Sequence, residues 1–282
     1  MPRQSAIALT ALVLTGFATA PVAEAGSGAL PISPFAIEDS ADFSKQIERE
    51  LAARGARVAL VFRSGRYRED LPEGVRYTHG AFWVWSEIEL EDGSRTHGYA
   101  VHNLYHYAED TRTSYLAQDW PLNFTRGDVI GEVGVILPSP EMQRRLWMML
   151  ATDADDALHQ PDYSLISNPH DARYQNCNEY LLDVIAAATW ETTDRGQIKA
   201  NLEAWFEPAP IRAGLFERLF GPSVDERIRM EDHRGAIRTT TFQSLANFMT
   251  QHHLSADTYE IRAAFLDRPD TPARPDRHSP TG

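Results

Sequence analysis

Residues 75–107 constrain the fold more than any other stretch. They read VRYTHGAFWVWSEIELEDGSRTHGYAVHNLYHY. Val75 to Leu90 is dense in β-branched and aromatic side chains, Asp92-Gly93 is a turn signal, and Thr96 to Tyr107 returns in the same character. The pattern predicts a long antiparallel hairpin. With Asp92 and Gly93 as a two-residue turn, His79 faces His106 and Trp83 faces His102. Strand side chains alternate between faces, so His79, His102 and His106 are expected on one face and His97 on the other. Phe82, Trp83 and Trp85 are expected in the core.

A second stretch, RYQNCNEYLLDVIAAATW from Arg173 to Trp190, holds Cys177, the single cysteine of the chain. Asn176 suits a helix N-cap, and Glu179 three residues on completes a capping-box pattern. Tyr180, Leu181, Val184, Ile185 and Ala188 recur at three- and four-residue steps, the signature of an apolar helix face. Cys177 therefore falls in the first turn of a mostly buried helix. Free N–H groups and partial positive charge at a helix N-terminus favour the thiolate, the nucleophilic form of cysteine. The bland alternative is a small buried residue that happens to be cysteine.

The first 25 residues read as a signal peptide: Arg3 is a short basic lead, Ala6 to Ala20 an apolar run, and Ala23-Glu24-Ala25 a small-x-small cleavage pattern before Gly26. Export to the periplasm or beyond is expected, with no transmembrane anchor after cleavage. In an oxidising compartment a lone thiol forms no intrachain disulfide, which leaves burial or use. The 282 residues carry 40 acidic against 27 basic side chains, a net charge of −13 that disfavours nucleic-acid partners.

The rest of the chain suggests one domain over 26–265, with a core of about 56–190, a helical extension of about 191–265 and a disordered tail over 266–282. Asp39 or Ser40 is expected to cap a helix carrying Phe43, Ile47 and Leu51 and ending near Gly55. Val58–Phe62 reads as a buried strand, 108–128 as a loop with aromatic anchors, and Val129–Leu137 as a strand. A helix starts at Pro140. Helices are expected over Asp194–Phe206, Ile211–Phe220 and Thr240–His252.

A cysteine that opens a helix and histidines on a hairpin supply the parts of a thiol hydrolase: nucleophile, base, and a group that fixes the base's tautomer. The residues resemble the permuted branch of the NlpC/P60 papain-like superfamily, including its lecithin-retinol-acyltransferase-like members. The matching segments are His79-Gly80-Ala81-Phe82-Trp83, the Asp92-Gly93 turn, Tyr99-Ala100-Val101-His102 and Asn176-Cys177-Asn178-Glu179-Tyr180, in that order. The resemblance covers about residues 56–190, and its hairpin histidines stand further apart here than in the family. It implies an α+β fold with a permuted papain-like core: an antiparallel sheet packed on the cysteine helix, with additional C-terminal helices. It also implies Cys177 as nucleophile, His79 as general base and then acid, and His102 as the orienting residue; the hairpin register, which sets His106 opposite His79, makes His106 the substitute. Gln175 or Tyr174 is a candidate oxyanion donor.

The expected activity is an exported cysteine hydrolase or acyltransferase working through a thioester, without cofactor or metal. By compartment, the substrate is a cell-envelope group: a peptidoglycan peptide amide first, a lipid acyl group second. Loops 64–74, 108–128 and 152–172 are expected to choose it. Two alternatives remain at this stage. One is a non-catalytic envelope binding protein on the same fold. The other is zinc binding by His79, His102 and His106, with Asp110 as a fourth ligand.

Overall fold

The computed structural model describes residues 33–90, 92–211 and 226–269. The segment expected to be a signal peptide, and most of the helix expected over 211–220 and of the expected tail, lie outside them. Six strands form one antiparallel sheet: β1 (Val58–Arg63), β2 (His79–Glu89), β3 (Arg95–His106), β4 (Ser114–Asp119), β5 (Glu132–Pro138) and, late in the chain, Ser255–Arg262. The spatial order is β4-β3-β2-β1-β5, with Ser255–Arg262 on the outer edge of β5. A separate two-stranded ribbon pairs β6 (Ala209–Ile211) with β7 (Ile237–Thr239), so Ser255–Arg262 is β8. Ile211 is thus the end of a strand, not the start of a helix.

Among the described residues six helices cover the sheet. One face holds α1 (Ile37–Ala53) and the short α2 (Pro121–Thr125), through Phe43, Ile47, Leu51 and Phe124 packed on Ala59, Val61, Ala81, Trp83 and Val101. The other holds α3 (Pro140–Ala151), α4 (Cys177–Trp190), α5 (Arg195–Trp205) and α6 (Phe242–Gln251), against Val58, Leu60, Phe62, Phe82, Val84 and Leu104. Alternate residues of each strand feed the two layers, as period-two geometry requires. The fold is α+β. Among the described residues no helix is long and apolar enough to cross a membrane.

Local signals predict several boundaries. Asn176 accepts from the Glu179 N–H, Asp194 from the Gln197 N–H, and Thr241 forms a reciprocal box with Ser244. Two expectations need correction. Helix α1 starts at Ile37 with no side-chain cap, so Asp39 and Ser40 lie inside it. The capping box at Asn176 is one-sided, because the Glu179 carboxylate receives Lys199 Nζ at 2.7 Å instead of reaching back.

Segment 108–128 is not a loop throughout: it contains β4 and α2. Residues 191–265 are not simply a helical extension, since β8 completes the central sheet. The tail begins with an ordered turn at Ala264–Asp267.

The hairpin differs from expectation by one residue. Pairing runs from Glu89↔Arg95 to Phe82↔His102. Leu90 N–H donates to the Ser94 carbonyl at 2.8 Å, which leaves three positions in the turn, with Gly93 at φ +79°. One extra turn residue reverses the faces of β3 relative to β2. His79 therefore lies on the α1/α2 side, while His102 and His106 lie on the α4 side. Beyond Phe82↔His102 the two strands part: β2 continues along β1 to His79, and β3 along β4 to His106.

Candidate thiol site at the splayed strands

The end of α4 that carries Cys177 meets the sheet where β2 and β3 separate. Gly80 permits this approach. A Cβ there would stand 2.5 Å from Phe62 Cε1 and 2.7 Å from Leu181 Cδ1, so only glycine lets the first turns of α4 pack on β2. Cys177 Sγ lies 3.9 Å from the Thr78 carbonyl and 4.0 Å from Asn178 Oδ1, and the Gly80 N–H donates to it. The thiol thus touches backbone on both sides of His79. It is 5% exposed. Burial pushes the thiol's pKa up; the Gly80 N–H, the Arg63 guanidinium and the N–H groups of Asn178 and Cys177 oppose it.

The His79 ring lies in the layer beyond, stacked on Tyr105 at 5.3 Å and tilted against Phe124 at 5.8 Å. Its Nε2 is 3.0 Å from Asn103 Oδ1. Asn103 in turn donates Nδ2 to the Val101 carbonyl at 3.1 Å, which orients the amide with its oxygen toward the ring. Nε2 therefore carries the proton, and Nδ1, buried and without a hydrogen-bond partner, is the basic nitrogen. Thiol and imidazole are not hydrogen-bonded to each other in this structure. Burial first, then the Arg63 charge, drives the His79 pKa down to about 3, against the pull of Asn103.

The sequence did not single out Asn103, which occupies the orienting position assigned to His102. The two are chain neighbours, and the extra turn residue decides which of them shares a face with His79. His102 stands across the sheet, its pKa lowered to about 4 by burial with Asp153 opposing. His106 packs its ring on Tyr163 at 5.2 Å, with Nδ1 at 2.9 Å from the Tyr107 carbonyl.

Gln175 is not an oxyanion donor here. It gives Nε2 to the Leu158 carbonyl and Asp183, and takes the Gln160 N–H. Tyr174 Oη donates to Glu231. Phe82 and Trp83 are core side chains. The zinc alternative loses its premise, since His79 does not share a face with His102 and His106. Asp110 instead caps its own turn through the Arg112 N–H and Thr113 Oγ1. Among the described residues no three or more His, Cys, Asp or Glu side chains group as metal ligands.

Arg63 is a second residue the sequence did not flag. It ends the wholly buried strand β1 opposite His79 and is 1% exposed. Its Nη1 donates to the Gly127 carbonyl at 2.5 Å; a Cβ at Gly127 would fall on the guanidinium, 2.2 Å from Cζ. Nearby Asp128 is held by the Ser64 N–H at 3.2 Å and the Gly131 N–H at 2.6 Å, and burial raises its pKa to about 7. The only sequence hint was an arginine directly ending an apolar strand.

A cysteine-led helix N-terminus set against the end of β2, with a tautomer-fixed histidine on the opposite face of that strand, defines an α+β protein with a candidate thiol centre. The chain belongs to the family described as uncharacterized protein conserved in bacteria (DUF2145), which it matches over residues 50–249. No curated protein and no solved structure matches it.

Proposed function

We propose that this protein is an exported cysteine hydrolase or acyltransferase with a permuted papain-like core, and that Cys177, His79 and Asn103 form its reacting group. The observation that carries this reading is the tautomer. Asn103 ties up Nε2 and leaves Nδ1 as an unpartnered, buried, basic nitrogen. The Cys177 thiol rests against the backbone on either side of the same histidine.

In the proposed reaction the thiol proton passes to His79 Nδ1 as sulfur bonds to an amide or ester carbonyl carbon. The carbonyl electron pair moves to oxygen, where the N–H groups opening α4 receive the charge. Collapse expels the leaving group with that proton and leaves a thioester, which water or an acceptor then opens. Proton transfer requires the end of β2 to shift, since His79 lies on its α1/α2 face and Cys177 on its α4 face. Substrate entry requires the site to open, since both side chains are covered. A cell-envelope peptide amide is the favoured substrate and a lipid acyl group the second.

The test treats the purified chain with p-nitrophenyl acyl esters and follows intact mass. A hydroxylamine-sensitive acyl adduct that is lost in Cys177→Ala and formed slowly in His79→Ala is expected. Absence of any adduct on natively folded protein would overturn the proposal and leave a non-catalytic binding protein, which the covered thiol would suit.

A further inference from the structure

Arg63 has a charge that its surroundings do not neutralise. Its guanidinium gives one N–H to the Gly127 carbonyl, while Nε and Nη2 have no hydrogen-bond partner. Phe124 presents a ring face 5.3 Å from Cζ. Two carboxylates stand within electrostatic range, and both are engaged elsewhere. Asp128 is taken by the Ser64 and Gly131 N–H groups, and Asp119 accepts from Tyr105 Oη at 2.8 Å. Neither forms an ion pair with Arg63. The remaining ionisable neighbours are His79 across the β1–β2 ladder, Tyr105 on β3, and Cys177 at the start of α4. Guanidinium stays protonated even where burial lowers its pKa. A buried cation with two idle donors is costly unless an anion meets it at some stage of the working cycle.

We propose that Arg63 is the resident counter-ion of the Cys177 thiolate, so that negative charge on sulfur forms in the field of a guanidinium while His79 returns to the neutral imidazole after each proton transfer. This deepens the reading of Cys177 as nucleophile and rests on it. The geometry supports the division of labour. Arg63 pairs with His79 in the ladder, and the thiol contacts the backbone flanking His79 from the opposite face, so guanidinium and thiol approach one end of β2 from its two sides, within electrostatic range of each other. A positive charge held this close penalises imidazolium and favours thiolate. That is the reverse of a site in which imidazolium itself balances the sulfur. The thiol rests protonated, and its proton still travels from Sγ through Nδ1 to the leaving group; Arg63 supplies the positive field in which the sulfur's negative charge forms during that transfer. Arg63 acts as a positioning residue for charge and needs no contact with substrate.

The experiment measures the rate of Cys177 alkylation by iodoacetamide against pH in the full chain, in Arg63→Gln and in Arg63→Lys. The single cysteine makes the signal unambiguous. Arg63→Gln is expected to raise the midpoint by about one pH unit or more, and Arg63→Lys to bring it back toward the parent. An unmoved midpoint in Arg63→Gln with native near-ultraviolet circular dichroism would overturn the proposal. Should that variant fail to fold, nitrogen NMR of the labelled parent decides. Neutral His79 throughout the thiol transition supports the proposal, and imidazolium appearing in step with thiolate overturns it. Acyl adducts with an unmoved midpoint remove Arg63 but keep the nucleophile. A shifted midpoint without adducts does the opposite.

Discussion

Replacing His79 with asparagine should change stability by an amount that depends on pH, and the dependence can be worked out from the site. An imidazole in the unfolded chain titrates at its ordinary 6.5, whereas in the fold burial and Arg63 hold it down to about 3. A depressed pKa means that the folded state refuses a proton the unfolded state accepts. The stabilising contribution is therefore present above 6.5 and lost as pH falls toward 3. From about pH 7 to about pH 5 the unfolded imidazole goes from mostly neutral to almost wholly charged, while the folded one stays neutral. At about 1.4 kcal/mol per pH unit this costs the parent about 2 kcal/mol. The figure scarcely depends on the folded value so long as that lies below about 4.

Asp128 and Glu179, both raised to about 7, slope the other way, because their contribution is lost as pH rises. They are present in parent and variant alike and cancel in the difference. Urea unfolding of both proteins at the two pH values is the assay. His79→Asn should be less destabilising at pH 5 than at pH 7, by about 2 kcal/mol. Equal effects at both would show that His79 titrates normally, in an environment wetter than the one described.

Lys199→Met should cost about 3–5 kcal/mol in denaturant unfolding, because Lys199 Nζ meets both Glu179 and Asp183 at 2.7 Å and its loss strands two buried carboxylates. The deficit should shrink as pH falls and Glu179 protonates; a pH-independent deficit would contradict this. Gly80→Ala should cost about 1–3 kcal/mol by driving a methyl into Phe62 and Leu181, and should speed Cys177 alkylation as α4 backs away from the sheet. Asn103→Ala should slow acyl-adduct formation at least about tenfold by releasing the His79 tautomer, with His102→Ala nearly silent. The opposite order would return the orienting role to His102.

Much of the architecture was legible in the chain. The hairpin, the β1 strand, α3 and the cysteine helix all announce themselves through period, caps and turn residues. Weaker segments escaped. Strand β4 lies in a stretch punctuated by charges and aromatics, and β8, SADTYEIR, is a mostly exposed edge strand with little apolar signal. Within the site, Cys177 at a helix N-terminus and His79 on β2 follow from local pattern, as does the Asn176 cap.

What the sequence alone determined is what neighbouring residues can satisfy among themselves. The Asn176 side chain meets a backbone N–H three residues away, and Gly93 adopts the positive φ of its own turn. Tertiary structure decided the rest. Whether Asn103 or His102 stands beside His79 turned on the parity of one loop, since a single added residue reverses the faces of the returning strand. The charge states depended on atoms far apart in the chain. Arg63 reaches Gly127, His79 reaches Asn103, and Cys177 rests on Thr78. Burial and distant charge act through space, so a linear pattern that places each group on its own element does not show which charges it will meet.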